Sequence, residues 1–274
     1  LKVAIFPLHL WLPNAYTYAP SAITSFLAAT ATKVAIYVML RFLFSVFQPG
    51  FLAEVPTLDL LLYPFAILAM FAASYTAILQ RDLKRMLAYS SIGQVGYMLL
   101  GVALLSKSGL MATMIHLFNH GITKAALFMG VGVYVLNGGG SFYHNLRGRG
   151  KTMPWTSAAM VVAGLSLIGV PGTAGFLSKW LLVEAALTQG MWPIALLIVA
   201  SSLLAVIYVW KLIETLYLAQ PADGLQDQNV PLMMMIPLWV MALACIYFGF
   251  DTDITLSAAR SAAEGLLAGS AGMR

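Results

Sequence analysis

Residues 109–137 read GLMATMIHLFNHGITKAALFMGVGVYVLN. A helix needs roughly 20 mainly apolar residues to cross a bilayer, and this stretch is long enough. Yet it carries His116, His120 and Lys124 at four-residue intervals, with Asn119 and Thr123 among them. At about 100° per residue the three basic side chains stay within about 80° of one another on one helix face. An apolar helix with one narrow polar stripe belongs inside a bundle, with its stripe turned to a hydrated or protein-lined interior.

The rest of the chain repeats the apolar pattern. It has 274 residues, 61% of them hydrophobic and 9% charged, with a mean hydropathy of +0.86; soluble domains are about 45–50% apolar and about 25% charged. A water-soluble globular protein is excluded. Apolar segments fall at roughly 1–17, 21–47, 58–79, 86–105, 109–137, 154–187, 193–218 and 230–250, which predicts an all-α polytopic membrane protein of about seven or eight transmembrane helices over 1–250. The tail, 251–274, carries Asp251, Asp253, Arg260, Glu264 and Arg274 and few large apolar residues, so it reads as a polar segment at the interface or partly disordered. The first residue is Leu1, inside a segment with a lysine and two prolines, and no signal peptide is visible. We therefore expect an N-terminally truncated chain.

Lys and Arg in short loops mark the cytoplasmic side of a membrane protein. Arg81, Lys84, Arg85, Arg147, Arg149 and Lys151 fall in two loops, 80–85 and 138–152, which this rule places together in the cytoplasm. The 48–57 loop, with Glu54 and no Lys or Arg, is expected on the opposite face.

Two segments are interrupted. The first contains Pro7 and Pro13, and the sixth contains Gly169, Pro171 and Gly172 near its middle. Proline removes an internal hydrogen bond, and broken backbone at membrane depth persists only where protein or a hydrated cavity satisfies it. A lone proline reads as a kink, whereas the Gly-x-Pro-Gly run beside a lysine reads as the discontinuous helix of an ion site. A short echo links Ala35-Ile36-Tyr37-Val38 with Val206-Ile207-Tyr208-Val209, each followed by a basic residue.

A lysine at bilayer depth costs about 3 kcal/mol on insertion scales, so each needs a partner, water or a task. Lys33 lies near the centre of its segment, with Thr30 and Tyr37 expected on its face at i−3 and i+4; the bland alternative is a lysine capping a neighbouring helix. Lys179 follows the Gly169–Gly172 break by about two turns, and Lys2 precedes Pro7. Ser90, Gln94 and Tyr97 form an uncharged stripe that suits either bound water or interhelical hydrogen bonds. Arg41, Lys211 and Glu214 fall near segment ends and read as side chains reaching the interface.

Other chemistries are excluded by composition. A single cysteine, Cys245, leaves neither a disulfide framework nor a cysteine metal cluster; the histidine pair lacks a third ligand. A net charge of +5 without a basic stripe or tail gives no nucleic-acid surface. With no phosphate loop and no redox ligand set, we expect no cofactor: the chain moves ions and makes or breaks no bonds itself.

Four blocks carry a resemblance: LKVAIFPLHLWLPNA at 1–15, LKRMLAYSSIGQVGY at 83–97, HLFNHGITKAALF at 116–128 and GVPGTAGFLSK at 169–179. The sequence resembles the proton-translocating, antiporter-like membrane subunits shared by respiratory complex I, membrane-bound hydrogenases and Mrp-type cation/proton antiporters. The resemblance implies the C-terminal half of a fourteen-helix core, beginning in the seventh helix, with the seventh and twelfth helices broken. It implies that Lys2, Lys33, His120, Lys124 and Lys179 carry protons; the four-residue stripe adds His116 as a further proton station, with Pro7, Gln94, Pro171 and Gly172 read as supporting positions. Asn14 stands where many members have aspartate. The run GTAGFLSKWLLVEAAL at 172–187 is most similar to the D-type Mrp subunits, which implies proton exchange for a monovalent cation such as Na+. A complex I or hydrogenase subunit is the alternative, and a non-transporting membrane scaffold is the second. Either transporting reading implies other membrane subunits as partners and a multi-pass position in a bacterial inner membrane.

Overall fold

The structure is a computed structural model that describes residues 1–47, 56–138, 140–221 and 230–268; side chains are described from residue 61 onward in the segment after the first gap. The described residues fold as helices. In chain order these are α1 (Trp11–Tyr18), α2 (Ser21–Arg41), α3 (Pro56–Leu79), α4 (Leu83–Ala103), α5 (Lys107–Leu136), α6 (Tyr143–Leu146), α7 (Arg149–Thr152), α8 (Pro154–Ile168), α9 (Ala174–Thr188), α10 (Trp192–Ile213), α11 (Leu232–Phe250) and α12 (Asp253–Ala268). α2 and α10 each continue into a single π-helical turn, Phe42–Val46 and Glu214–Leu218. The sequence echo between these two helices thus extends to their endings.

Local sequence sets the boundaries. Asp82 caps α4 by accepting from the Arg85 N–H at 2.9 Å, and Ser106 caps α5 by accepting from the Gly109 N–H at 3.1 Å; short polar side chains are favoured there because the first helical N–H groups have no helical partner. α8 and α10 open on prolines, whose missing N–H costs nothing at that position. α8 ends at Gly169, whose φ of +89° is a left-handed conformation that a side chain would oppose.

Among the described residues, five stretches are long and apolar enough to cross a membrane: Ser21–Val46, Leu61–Leu79, Leu83–Ala103, Trp192–Leu218 and Leu232–Phe250. α5 is longer still, at 30 residues, but its histidines, asparagine and lysine lower its hydropathy. It is the centre of the bundle, packed against α2, α4, α8, α9, α11 and α12. α4 is buried over nearly its whole length. The 154–187 segment is discontinuous as expected, with α8 and α9 separated at 169–173.

Three sequence expectations change. The 1–17 segment is helical only from Trp11, with turns before it around Pro7, since proline cannot supply the N–H that a helical turn needs there. The tail is a 16-residue helix over Asp253–Ala268, packed on α5 through Ala259, Ala263 and Leu266; residues 269–274 lie outside the described residues, as does most of the 48–57 loop with Glu54. Lys211 donates to the carbonyls of Ile78 (3.0 Å) and Gln80 (2.8 Å), capping the end of α3 instead of extending to the interface. Lys84 does the same after α1, donating to the Ala19 carbonyl at 3.2 Å. Cations suit these positions because the last helical carbonyls are unpaired and carry the negative end of the helix dipole.

The two basic loops pair with each other. The Leu83 N–H donates to the Ser141 carbonyl at 2.7 Å, the Tyr143 N–H to the Arg81 carbonyl at 3.0 Å, and Ser141 Oγ to Asp82 Oδ2 at 2.5 Å. They therefore lie on one face of the bundle.

Candidate functional site

α5 places His116, His120 and Lys124 on its buried face, and α2, α4, α8 and α9 close over them. Lys124 is fully buried; its ammonium donates to the Leu87 carbonyl at 2.8 Å and to Ser90 Oγ at 2.5 Å, both on α4. His120 stacks on His116, with ring centroids 6.1 Å apart and planes 3° from parallel. His116 Nδ1 lies 2.8 Å from Ser178 Oγ on α9, and its ring lies 5.7 Å from that of Tyr97. The Lys179 ammonium sits 4.9 Å from the centre of the same Tyr97 ring, a distance at which cation and ring attract. His120, His116, Tyr97 and Lys179 thus form a run of neighbouring buried groups, with Lys124 one turn along α5 from His120.

Lys179 also explains the helix break. Its ammonium donates to the carbonyls of Leu167 (3.2 Å) and Ile168 (2.7 Å), the last of α8. The break frees those carbonyls, and a lysine from the following half-helix returns to them. Gly175 makes this close crossing possible: a Cβ there would stand 1.8 Å from the Ser166 carbonyl oxygen.

Lys33 is buried and donates to the Ala28 carbonyl of its own helix. It lines a groove of about 770 Å³ walled by α2, α5 and α12. The expected Thr30–Lys33–Tyr37 stripe is not the buried face, since Tyr37 is 57% exposed; Thr24, Ser25 and Thr32 are the buried polar neighbours. Lys2 and Pro7 are exposed.

Between the stations is a cavity of about 10 Å³ lined by Gln94, His116, Asn119, His120, Thr123, Ser166, Leu167 and Gly175, close to the smallest space that admits one water. Around it, His116 Nε2, Asn119 Oδ1 and both nitrogens of His120 are buried with no protein partner. Buried polar atoms are ordinarily paired, so four such atoms beside one small cavity mark it as a place for water. No carboxylate lies within 4 Å of Lys33, Lys124 or Lys179 among the described residues; the ion pair found there, Lys107 with Glu264 at 2.5 Å, is at the surface. Among the same residues no three His, Cys, Asp or Glu side chains converge as metal ligands would. Ser178's contact with His116 and Tyr97's with Lys179 join helices far apart in sequence; Tyr97 had a signal in the Ser90–Gln94–Tyr97 stripe, whereas nothing in the sequence reading singled out Ser178.

The family model described as NADH:quinone oxidoreductase/Mrp antiporter, TM matches residues 1–205. NADH-quinone oxidoreductase subunit N of Desulforudis audaxviator (strain MP104C) is 37% identical over 270 residues, covering 94% of this chain and 54% of the relative. A chain of the membrane-bound sulfane sulfur reductase, an archaeal respiratory membrane complex, superposes with a TM-score of 0.85 at 32% identity, covering 97% of this chain and 54% of that one. A chain of the Mrp complex from Dietzia sp. DQ12-45-1b shares the fold, with a TM-score of 0.87 at 24% identity over 97% of this chain and 57% of that one. The chain spans about half the length of the curated relatives it matches.

Proposed function

The chain belongs to the NADH:quinone oxidoreductase/Mrp antiporter transmembrane family, and within it we propose that it is a proton-carrying membrane subunit of a redox-driven respiratory complex of the NADH-quinone oxidoreductase type. It is an antiporter-like membrane protein related to subunits of complex I and of Mrp-type assemblies. The D-type Mrp assignment suggested by the 172–187 run gives way here, because the 37% identical relative is a subunit N. The partners are the other membrane subunits of such a complex, in a bacterial inner membrane.

One observation carries the transport reading: two histidines line a small buried polar cavity, three lysines are buried in the same bundle, and among the described residues no carboxylate pairs with any of those lysines. Holding such groups at bilayer depth costs a few kcal/mol each, and a transport role accounts for that cost across the whole set. In this reading protons pass through water between Lys33, His120, His116, Lys124 and Lys179. Adding charge at one station raises the energy of charge at its neighbours, because Coulomb interactions are strong where water is scarce. Coupling then travels along the series without large movements of the helices, and Lys2 would serve as a further station beside Pro7.

The test is proton flux in vesicles carrying the full-length protein in its complex, driven first by quinone reduction and then by a sodium gradient. Flux driven by quinone reduction that is lost in Lys124→Ala and Lys179→Ala supports the proposal. Flux driven by sodium alone assigns the chain to the antiporters, and flux that survives both substitutions leaves the scaffold reading.

A further inference from the structure

His116 and His120 stack face to face but differ in what their nitrogens touch. His116 Nδ1 lies 2.8 Å from Ser178 Oγ and its Nε2 has no partner, whereas neither nitrogen of His120 has one. Ser178 Oγ also lies 3.2 Å from the Gly175 carbonyl oxygen. A hydroxyl has one hydrogen to donate and a carbonyl can only accept. If Ser178 donates to Gly175, its oxygen is left to accept, and His116 must carry its hydrogen on Nδ1. The reverse arrangement would take the serine hydrogen away from the Gly175 carbonyl and put the imidazole's own hydrogen on Nε2, a buried donor with no protein acceptor. Buried donors are left unpaired more rarely than acceptors.

We propose that Ser178 is a positioning residue that holds neutral His116 as the Nδ1–H tautomer, making Nε2 the atom at which this station takes up and releases protons. The acceptor role rests on the proton-carrying function proposed above; the tautomer does not. An excess proton delivered to an adjacent water leaves it as one O–H bond breaks and Nε2–H forms, and the water is left neutral. The same Nε2–H bond breaks when the proton moves on, and Nδ1–H stays in place throughout. His120, free at both nitrogens, is held to neither tautomer and can accept at one nitrogen and release at the other.

Nitrogen-15 NMR of the full-length protein in its complex in bilayers, with labelled histidine and His116 assigned by difference from His116→Gln, tests the tautomer directly. The expected result is a pyrrole-type signal from Nδ1 and a pyridine-type signal from Nε2 in the wild type. That preference disappears in Ser178→Ala and returns in Ser178→Thr. Proton flux falls about tenfold in Ser178→Ala, the rate equivalent of one hydrogen bond, and recovers in the threonine variant. A wild-type hydrogen on Nε2, or an unchanged tautomer in Ser178→Ala, overturns the proposal. Undiminished flux in His116→Gln would instead overturn the acceptor role and the functional reading at this station, leaving the tautomer to be judged on the spectrum alone.

Discussion

Lys124 Nζ on α5 lies 2.8 Å from the Leu87 carbonyl oxygen on α4. That oxygen is shared: Ser90 and Ser91 hydroxyls also approach it, at 2.9 and 3.0 Å. The lysine is therefore solvated by α4 backbone and hydroxyls instead of by a carboxylate. Such an environment accepts either the charged or the neutral amine without breaking an ion pair, which suits a group that changes protonation state.

Lys124→Met tests whether that amine carries protons or holds helices together. The thioether has similar length, and Leu87 keeps its two serine donors. Replacing a buried charge with an apolar side chain of similar volume is often near neutral, so we expect a stability change below about 1.5 kcal/mol. Proton flux should be lost. Thermal unfolding measured beside flux checks both, and retained flux would remove Lys124 from the path.

Lys179→Met should behave differently. Its ammonium is the hydrogen-bond donor for the last carbonyls of α8, Leu167 and Ile168, which no serine replaces. Hydrogen bonds to charged groups contribute about 1.5–3 kcal/mol, so this variant should be less stable than Lys124→Met. Hydrogen exchange should speed up at the amides of 165–170. Equal stabilities for the two methionine variants would contradict the capping role.

The sequence was informative where one helix carried the whole pattern. The four-residue spacing of His116, His120 and Lys124 was enough to put all three on one buried face. It failed where the answer depended on a second element. The face of α2 was misjudged because Lys33's long arm reaches back to Ala28 while Tyr37 turns outward. α12 was hidden because its packing stripe, Ala259, Ala263 and Leu266, is made mostly of alanines, which add little hydropathy but let a helix approach α5 closely. Lys211 looked like an interfacial side chain because its acceptors, Ile78 and Gln80, lie far away in sequence.

Gly175→Ala should open the α8–α9 crossing. The added methyl would meet the Ser166 carbonyl oxygen at 1.8 Å, and backbone on both sides must move. Overpacking of this kind costs about 1–3 kcal/mol, and the shift carries Ser178 and Lys179 with it, so flux should fall as well. Gly265→Ala on α12 is the control: nothing stands within 4 Å of its added methyl, and alanine is favoured over glycine inside a helix by about 0.5–1 kcal/mol. Thermal unfolding should separate the two variants in opposite directions, and similar destabilisation by both would refute the close-approach argument.

The attachment of α12 should weaken in acid. Lys107 donates to Glu264 at 2.5 Å, and this hydrogen bond, with the lysine's charge, holds the carboxyl below its ordinary value of 4.5. A group whose folded pKa is depressed stabilises the folded form above its unfolded pKa, and that contribution disappears as pH falls through the lower folded value. The contact is solvent-exposed and therefore weak and salt-sensitive. Hydrogen exchange over 253–268, corrected for the intrinsic pH dependence, should therefore show α12 loosening below about pH 4.5, and loosening earlier in high salt. Glu264→Gln removes the titrating group and should flatten that response while leaving the Ala259, Ala263 and Leu266 contacts in place. An acid response that persists in the glutamine variant would locate the sensitive group elsewhere on the face where α12 meets α5.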